Sequence, residues 1–289
     1  MQKSTKELLL AILCILLAMI TIQSGASLAK QLFPIVGPEG TTALRLGFSA
    51  AILCLIFKPW RHFPVASQRL PILIYGLSLG GMNILFYYAI ERIPLGIGVA
   101  LEFTGPLAVA LFSSRRKRDL FWVACAITGI LLLLPDMKGQ ESLDPIGVIL
   151  ALAAGACWAG YILFGKKTGS QSSGGATVAM GMTISAIVLV PYGGISQSAA
   201  FTWDIIPLGI AIAVLSSALP YTLEMITLRN MSPQGFSIMM SLEPAIAALA
   251  GLVILGELLS IWQWLAILLV IIASVGSSTS NSKKQPAPA

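Results

Sequence analysis

The sequence predicts an all-α integral membrane protein: ten transmembrane helices in two inverted five-helix repeats. Three observations predict it. Of 289 residues, 56% are hydrophobic and 10% are charged, whereas soluble domains carry about 25% charged residues. The apolar residues fall into runs of roughly the 20 residues that cross a ~30 Å hydrocarbon core, divided by Pro, Gly and charge clusters. Two segments five runs apart share a pattern, PLGIGVALEFTGP from Pro94 and PQGFSIMMSLEP from Pro233.

The breaks place each span in turn. Leu8–Ala29 runs from Lys6 to Lys30, and Thr41–Phe57 from Gly40 to Lys58. Pro71–Ile90 lies between Arg69 and Glu91. Pro94–Phe112 ends before the basic run SSRRKRD, and Leu120–Leu134 ends at Pro135 and Asp136. Pro145–Phe164 follows Asp144, and Ala176–Gly193 follows a Ser/Gly stretch. Ile205–Leu228 runs from Asp204 to Arg229, Gln234–Leu255 ends at Gly256 and Glu257, and Ile261–Gly276 ends in a polar tail. The domain expectation is therefore residues 1–135 for the first repeat, 145–280 for the second and 281–289 for a polar cytoplasmic tail. Five is an odd number, so the second repeat enters the membrane upside down relative to the first, a recurrent design of secondary transporters with midplane sites.

Charge sets the orientation. With the N-terminus inside, Lys3, Lys6, Lys58, Arg61, Arg69, Arg115, Arg116, Lys117, Arg118, Lys166, Lys167, Arg229, Lys283 and Lys284 fall on inner segments. Lys30, Arg92 and Lys138 fall outside, and Arg45 lies within the second span. This bias puts both termini in the cytoplasm and accounts for the net charge of +6 without nucleic acid as a partner. Lys3 and Lys6 before an apolar run also resemble a signal peptide; the length of the run and its polar Gln23, Ser24 and Ser27 favour a retained span. The four cysteines sit in apolar runs without metal-ligand spacing and read as packing residues.

Chemistry is confined to few residues. Arg45, Glu102, Glu224 and Glu243 are the charges clearly within spans. At 1.5 Å per residue, Glu102 lies roughly 12 Å and Glu243 roughly 14 Å into their helices, near the middle of the core. Intramembrane ionisable groups mark pathways. Proline adds to the pattern: Pro106 removes the donor to the Glu102 carbonyl, Pro244 adjoins Glu243, and Pro220 lies four residues before Glu224. Structural readings stand beside these. Glu102 and Glu243 fit hydrogen-bonded structural acids, Glu224 fits a partner of Arg229, and Arg45 fits a partner of Glu39. Asn83, Tyr87, Tyr88, Trp158, Tyr161 and Tyr221 suit packing as well as cavity lining, and Gly76-x-x-x-Gly80 suits close helix contact. Enzyme motifs fail. GYILFGKK spells part of a P-loop but has Lys167 where Ser or Thr is required, and the single histidine, His62, lies in a loop. No metal or cofactor is expected.

The segments IQSGASLAKQLFP, TALRLGF, YGLSLGGMN, PLGIGVALEFTGPLAVALFSSRR, AGACWAGYIL, LPYTLEMI and LEPAIAALAG resemble the EamA branch of the drug/metabolite transporter superfamily. The resemblance covers nearly the whole chain and is most specific around Glu102. Within that branch it is closest to bacterial inner-membrane exporters of threonine and homoserine. It implies proton-driven amino-acid efflux across that membrane and a central cavity lined by Gln23, Ser27, Asn83, Glu102, Trp158, Tyr161, Tyr221, Glu224 and Glu243. One departure is visible: Gly256 and Glu257 close the ninth span, but SSRRKRD follows the fourth, where family members often place a second Gly-Glu. The resulting expectation is alternating access with Glu102 on the substrate ammonium and Glu243 on the proton. Asn83, tyrosine hydroxyls or a helix N-terminus would hold the substrate carboxylate. An EamA-type exporter of another metabolite or drug is the alternative.

Overall fold

A chain this apolar must satisfy its backbone groups internally, and helices do so segment by segment. The computed structural model describes residues 5–61, 64–112, 119–133, 143–169, 174–197, 202–230 and 233–282. His62, Lys138, the Arg115–Arg118 run, the tail from residue 283 and the Tyr221 and Arg229 side chains lie outside the described residues. Among those described there are helices and turns but no strand.

The elements are α1 (Thr5–Phe57), α2 (Ala66–Arg92), α3 (Leu95–Glu102), α4 (Thr104–Phe112), α5 (Asp119–Leu133), α6 (Pro145–Gly169) and α7 (Gly174–Ser196). They continue as α8 (Ile206–Ala213), α9 (Leu219–Asn230), α10 (Pro233–Met240), α11 (Glu243–Ala250) and α12 (Ile261–Ser282). Six stretches are long and apolar enough to cross a membrane: Leu9–Phe57, Ala66–Arg92, Pro145–Gly165, Gly175–Ser196, Trp203–Glu224 and Ile238–Leu255. Leu95–Val109, Phe121–Leu132 and Ile261–Gly276 are shorter apolar helices. The protein is thus an all-helical integral membrane protein.

Helix α1 has two arms. It turns at Gly37, whose φ of 65° and ψ of 170° suit a residue without Cβ. The first arm therefore runs past Ala29, where Lys30 predicted its end, to the kink at Gly37. Lys30 does not stop the helix because its charge is neutralised by Glu257 at 2.6 Å. Past the kink, Glu39 accepts hydrogen bonds from Ser196 Oγ (3.1 Å) and Gln197 Nε2 (2.6 Å). Glu39 is thus bound to the end of α7, and the alternative that pairs it with Arg45 is not what the structure shows.

Two apolar runs are interrupted where proline predicts. Pro106 has no N–H for the Glu102 carbonyl, and α3 gives way to α4 at Phe103. In the second half, Leu242 N donates to Met239 O (3.0 Å), tightening the end of α10. Pro244 then falls in the first turn of α11, where a missing N–H costs nothing. Two π-helical turns follow the same theme, Val214–Ala218 between α8 and α9 and Gly251–Leu255 after α11.

Small residues let the helices meet closely, as is common in membranes. Gly76 packs on α7, where a Cβ would stand 2.6 Å from the Ile184 Cβ and where Ser185 Oγ donates to the Gly76 carbonyl (2.7 Å). Gly105 and Gly155 bring α4 against α6, and Gly96 brings α3 against α11. Outward-facing Leu9, Leu13, Leu17 and Ile20 on α1 and Ile261, Leu265, Leu268 and Ile272 on α12 present helical stripes to lipid.

Candidate functional site

Both arms of α1, α2, the α3–α4 break, α6, the π turn with α9, the α10–α11 break and α12 surround one cavity of about 430 Å³. Its polar lining is Gln23, Arg45, Asn83, Glu102, Ser216, Glu224, Glu243 and Ser274. Phe86, Phe103, Trp158, Tyr161, Phe236 and Met240 supply much of the rest. Broken helices bring irregular backbone to membrane depth only where protein or a cavity covers it.

Each charged group is placed by local structure. Glu102 ends α3 and Glu243 opens α11, and both are buried. Glu243 therefore sits in the first turn of a half-helix, where the dipole favours negative charge. Gln23 Nε2 donates to Glu243 Oε1 at 3.2 Å. Three carboxyl groups and one guanidinium line this one cavity. Arg45 is held from behind: Nη1 donates to the Tyr87 hydroxyl (3.1 Å), and the guanidinium lies 5.4 Å from the centre of the Tyr87 ring. Phe103 and Trp158 meet edge to face at 5.6 Å across the wall. The Glu102 carbonyl, without a helical donor, lies against Gly155, where a Cβ would approach it to 2.7 Å.

Most expected residues converge on this cavity. Gln23, Arg45, Asn83, Glu102, Trp158, Tyr161, Glu224, Glu243, Pro106 and Pro220 all line it. Others stand behind the wall. Tyr87 is fully buried beneath Arg45, Ser27 Oγ is turned onto the Gln23 carbonyl (2.8 Å), and Pro244 is buried in the first turn of α11. One of the two Asn83 Nδ2 protons is engaged by Leu79 O (2.8 Å) in its own helix. The sequence reading missed Ser216, Phe236 and Ser274, although the pair Ser216-Ser217 in an apolar run before Pro220 was a signal.

The two ends of the bundle differ. At the Gly37 end, Ala29, Leu32, Phe33, Tyr87, Ile90, Leu95 and Ala247 pack into one buried cluster. There Lys30 Nζ donates to Glu257 Oε1 (2.6 Å) and to Ile93 O (3.0 Å), while Leu95 N donates to Glu257 Oε2 (2.7 Å). Gly251 leaves room for that carboxylate, which stands 2.5 Å from where its Cβ would be. One acid thus joins α1, the start of α3 and the end of the α11 segment. Towards the opposite end, which carries Phe57, the lining continues through Leu107, Ile162, Glu224 and Phe236.

A family profile for EamA-like transporters matches residues 9–134 and again 145–279. The chain belongs to the EamA-like transporter family. Two relatives match over almost their full length. The threonine/homoserine exporter RhtA of Salmonella typhimurium (strain SL1344) is 54% identical over 99% of this chain and 97% of its own. RhtA of Escherichia coli (strain K12) is 53% identical over 95% of this chain and 93% of its own. A transporter of Bacillus subtilis (strain 168), YwfM, is 27% identical over 88% of this chain and 90% of its own. The crystal structure of a protein 17% identical to this EamA member matches it with a TM-score of 0.64, over 98% of this chain and 99% of its own; that likeness concerns the fold alone. As a member of this family, the chain is a transporter and not an enzyme.

Proposed function

We propose that this EamA transporter exports threonine, homoserine and related amino acids across the bacterial inner membrane by alternating access, exchanging substrate for protons. The observation that carries the reading is the central cavity, where three carboxyl groups and one guanidinium meet at two broken helices. A zwitterion needs an acceptor for its ammonium and a donor for its carboxylate, and an antiporter needs an acid that alternates between proton and substrate. Glu102, Glu243 and Glu224 supply the acids, and Arg45 supplies a charged donor beside the Asn83 amide. The volume falls in the range of about 300–1,000 Å³ usual for small-molecule sites. The identity to threonine/homoserine exporters over nearly the whole chain supports the substrate class.

In this reading the bundle is ten spans in two inverted repeats, residues 1–135 and 145–280, with a polar tail from 281 to 289. The doubled family match supports it, and so does the packing. The second arm of α1 meets α7 through the Cys54–Thr183 contact, α3 meets α11, and α5 meets α12. Each pair joins spans five apart, as a two-fold relation requires. The positive-inside bias puts both termini and the Phe57 end in the cytoplasm, so the cavity is reached from the substrate side.

Everted vesicles carrying the protein, given labelled threonine, test the reading. Threonine accumulates when the lumen is acid and not when the pH gradient is collapsed. Accumulation indifferent to the gradient removes the coupling, and absence of uptake removes the substrate class. A second reading, export of another metabolite or drug, rests on the aromatic wall of Phe86, Phe103, Trp158 and Phe236. Protection of growing cells against a panel of toxic compounds separates the two.

A further inference from the structure

Four buried polar side-chain atoms among the described residues have no hydrogen-bond partner: Gln23 Oε1, Glu243 Oε2, Arg45 Nε and Ser216 Oγ. All four belong to residues lining the central cavity. An unpaired buried polar atom is costly, so four on one cavity mark groups that a ligand completes.

The four sort by chemistry. Gln23 Oε1 and Glu243 Oε2 are acceptors. The bond from Gln23 Nε2 to Glu243 Oε1 (3.2 Å) couples their side chains, so the two free acceptors belong to one unit between α1 and α11. Arg45 Nε can only donate, and the Ser216 hydroxyl has a proton to give. These two come from the second arm of α1 and the π turn. The same two elements are joined one turn beyond Arg45, where Ser49 Oγ donates to Ser217 Oγ (2.9 Å). Thr222, in regular helix, bonds back to Ala218 O (2.8 Å), whereas Ser216 on the π turn keeps its hydroxyl free. Tyr87 acts as a positioning residue, holding Nη1 and the face of Arg45.

We infer that the cavity reads both ends of an α-amino-acid zwitterion: Gln23 Oε1 and Glu243 Oε2 take the ammonium, and Arg45 Nε and Ser216 Oγ take the carboxylate. Glu102 is then left to carry the proton, the reverse of the division expected from sequence. The inference rests on the export reading and refines it to residues. A substrate with one end blocked leaves one pair buried and unpaired, and such sites reject analogues strongly.

The test uses the full chain in proteoliposomes, with labelled threonine as substrate and threonine, threoninamide and N-acetylthreonine as competitors. Wild-type protein prefers threonine over either blocked analogue by at least about tenfold. Ser216→Ala and Arg45→Lys each raise the threonine KM about tenfold. Both lose the preference for a free carboxylate over the amide and keep the preference for a free ammonium. Gln23→Ala shows the converse pattern. If Arg45→Lys fails to reach the membrane, Ser216→Ala, which removes a single oxygen, decides. Wild-type protein that accepts both blocked analogues as well as threonine overturns the assignment. So does Ser216→Ala with unchanged KM and unchanged discrimination against the amide. Wild-type protein that carries no threonine overturns the export reading instead, whatever the variants do.

Discussion

At the scale of single residues, the buried acids explain why such costly groups persist in an apolar chain. Glu243 is stabilised by its place at the start of α11 and by the hydrogen bond from Gln23, and Glu102 shares its cavity with the Arg45 guanidinium. Neither acid is needed to close the helices, so removing the charge spares the fold. Glu102→Gln and Glu243→Gln are each expected to reach the membrane in normal amount and to lower threonine efflux at least tenfold. Immunoblots alongside vesicle uptake check both halves of that statement. Tyr87 is buried behind Arg45 and outside the cavity lining, so in the proposed reading it acts through Arg45. Tyr87→Phe removes the hydroxyl that accepts from Arg45 and raises KM about threefold with little change in maximal rate. The measurement is the full concentration dependence of uptake.

At the scale of elements, the α4–α6 contact is the tightest constraint on the site. Gly105 and Gly155 pack backbone to backbone, and Gly155 sits on the carbonyl that Pro106 leaves open. Gly155→Ala puts a methyl 2.7 Å from that carbonyl, and two backbones cannot yield as a flexible side chain can. Overpacking of this kind costs about 1–3 kcal/mol. Lower thermal stability in detergent, together with slowed transport, is the expected outcome. The start of α6 is held differently. Asp144 accepts from Ile146 N (2.9 Å) as a cap and from Arg92 Nη1 (3.0 Å) across the connection. The Arg92 hydrogen bond, helped by the Ile146 N–H, holds the Asp144 carboxyl below its ordinary value of 3.8. A group depressed in the folded state stabilises above its unfolded pKa and loses that effect as pH falls through the folded one. Asp144→Asn therefore unfolds at a lower temperature than wild type at neutral pH, and the difference closes in strong acid. Thermal scans across pH measure it.

At the scale of the whole molecule, the two ends of the bundle are built unequally. The Gly37 end is packed shut and tied by Glu257 to Lys30 and Leu95, whereas the cavity lining extends toward the Phe57 end. In the proposed alternating-access reading, that tie opens. Glu257→Gln weakens it and shifts the population toward the form open at the Gly37 end. In a chain with its native cysteines replaced by alanine, a cysteine at Ala247, fully buried here, then reacts faster with an impermeant maleimide added at that face. Equal labelling rates with and without Glu257→Gln would show that Glu257 is not part of the closure.

Much of this was legible in one dimension. Membrane residence follows from apolar runs, the breaks at Phe103 and Ser241 from Pro106 and Pro244, and the placing of Glu102 and Glu243 away from lipid from the cost of a carboxylate there. These are local properties: a missing N–H or a charged group acts wherever the chain goes. What remained was a matter of partners. Asn83 turned out to bond its own helix and Ser27 its own backbone. Arg45 was as consistent with Glu39 as with the cavity until the Gly37 kink assigned Glu39 to α7. Lys30 looked like the end of a helix because its counter-ion lies 227 residues away. Ser216 looked like one of many small residues until the π turn left its buried hydroxyl without a partner. The sequence by itself determined that charges would be buried and where helices would break. Only the tertiary structure decided which buried atoms remain unpaired, because pairing is a property of distances between segments that the chain order does not contain.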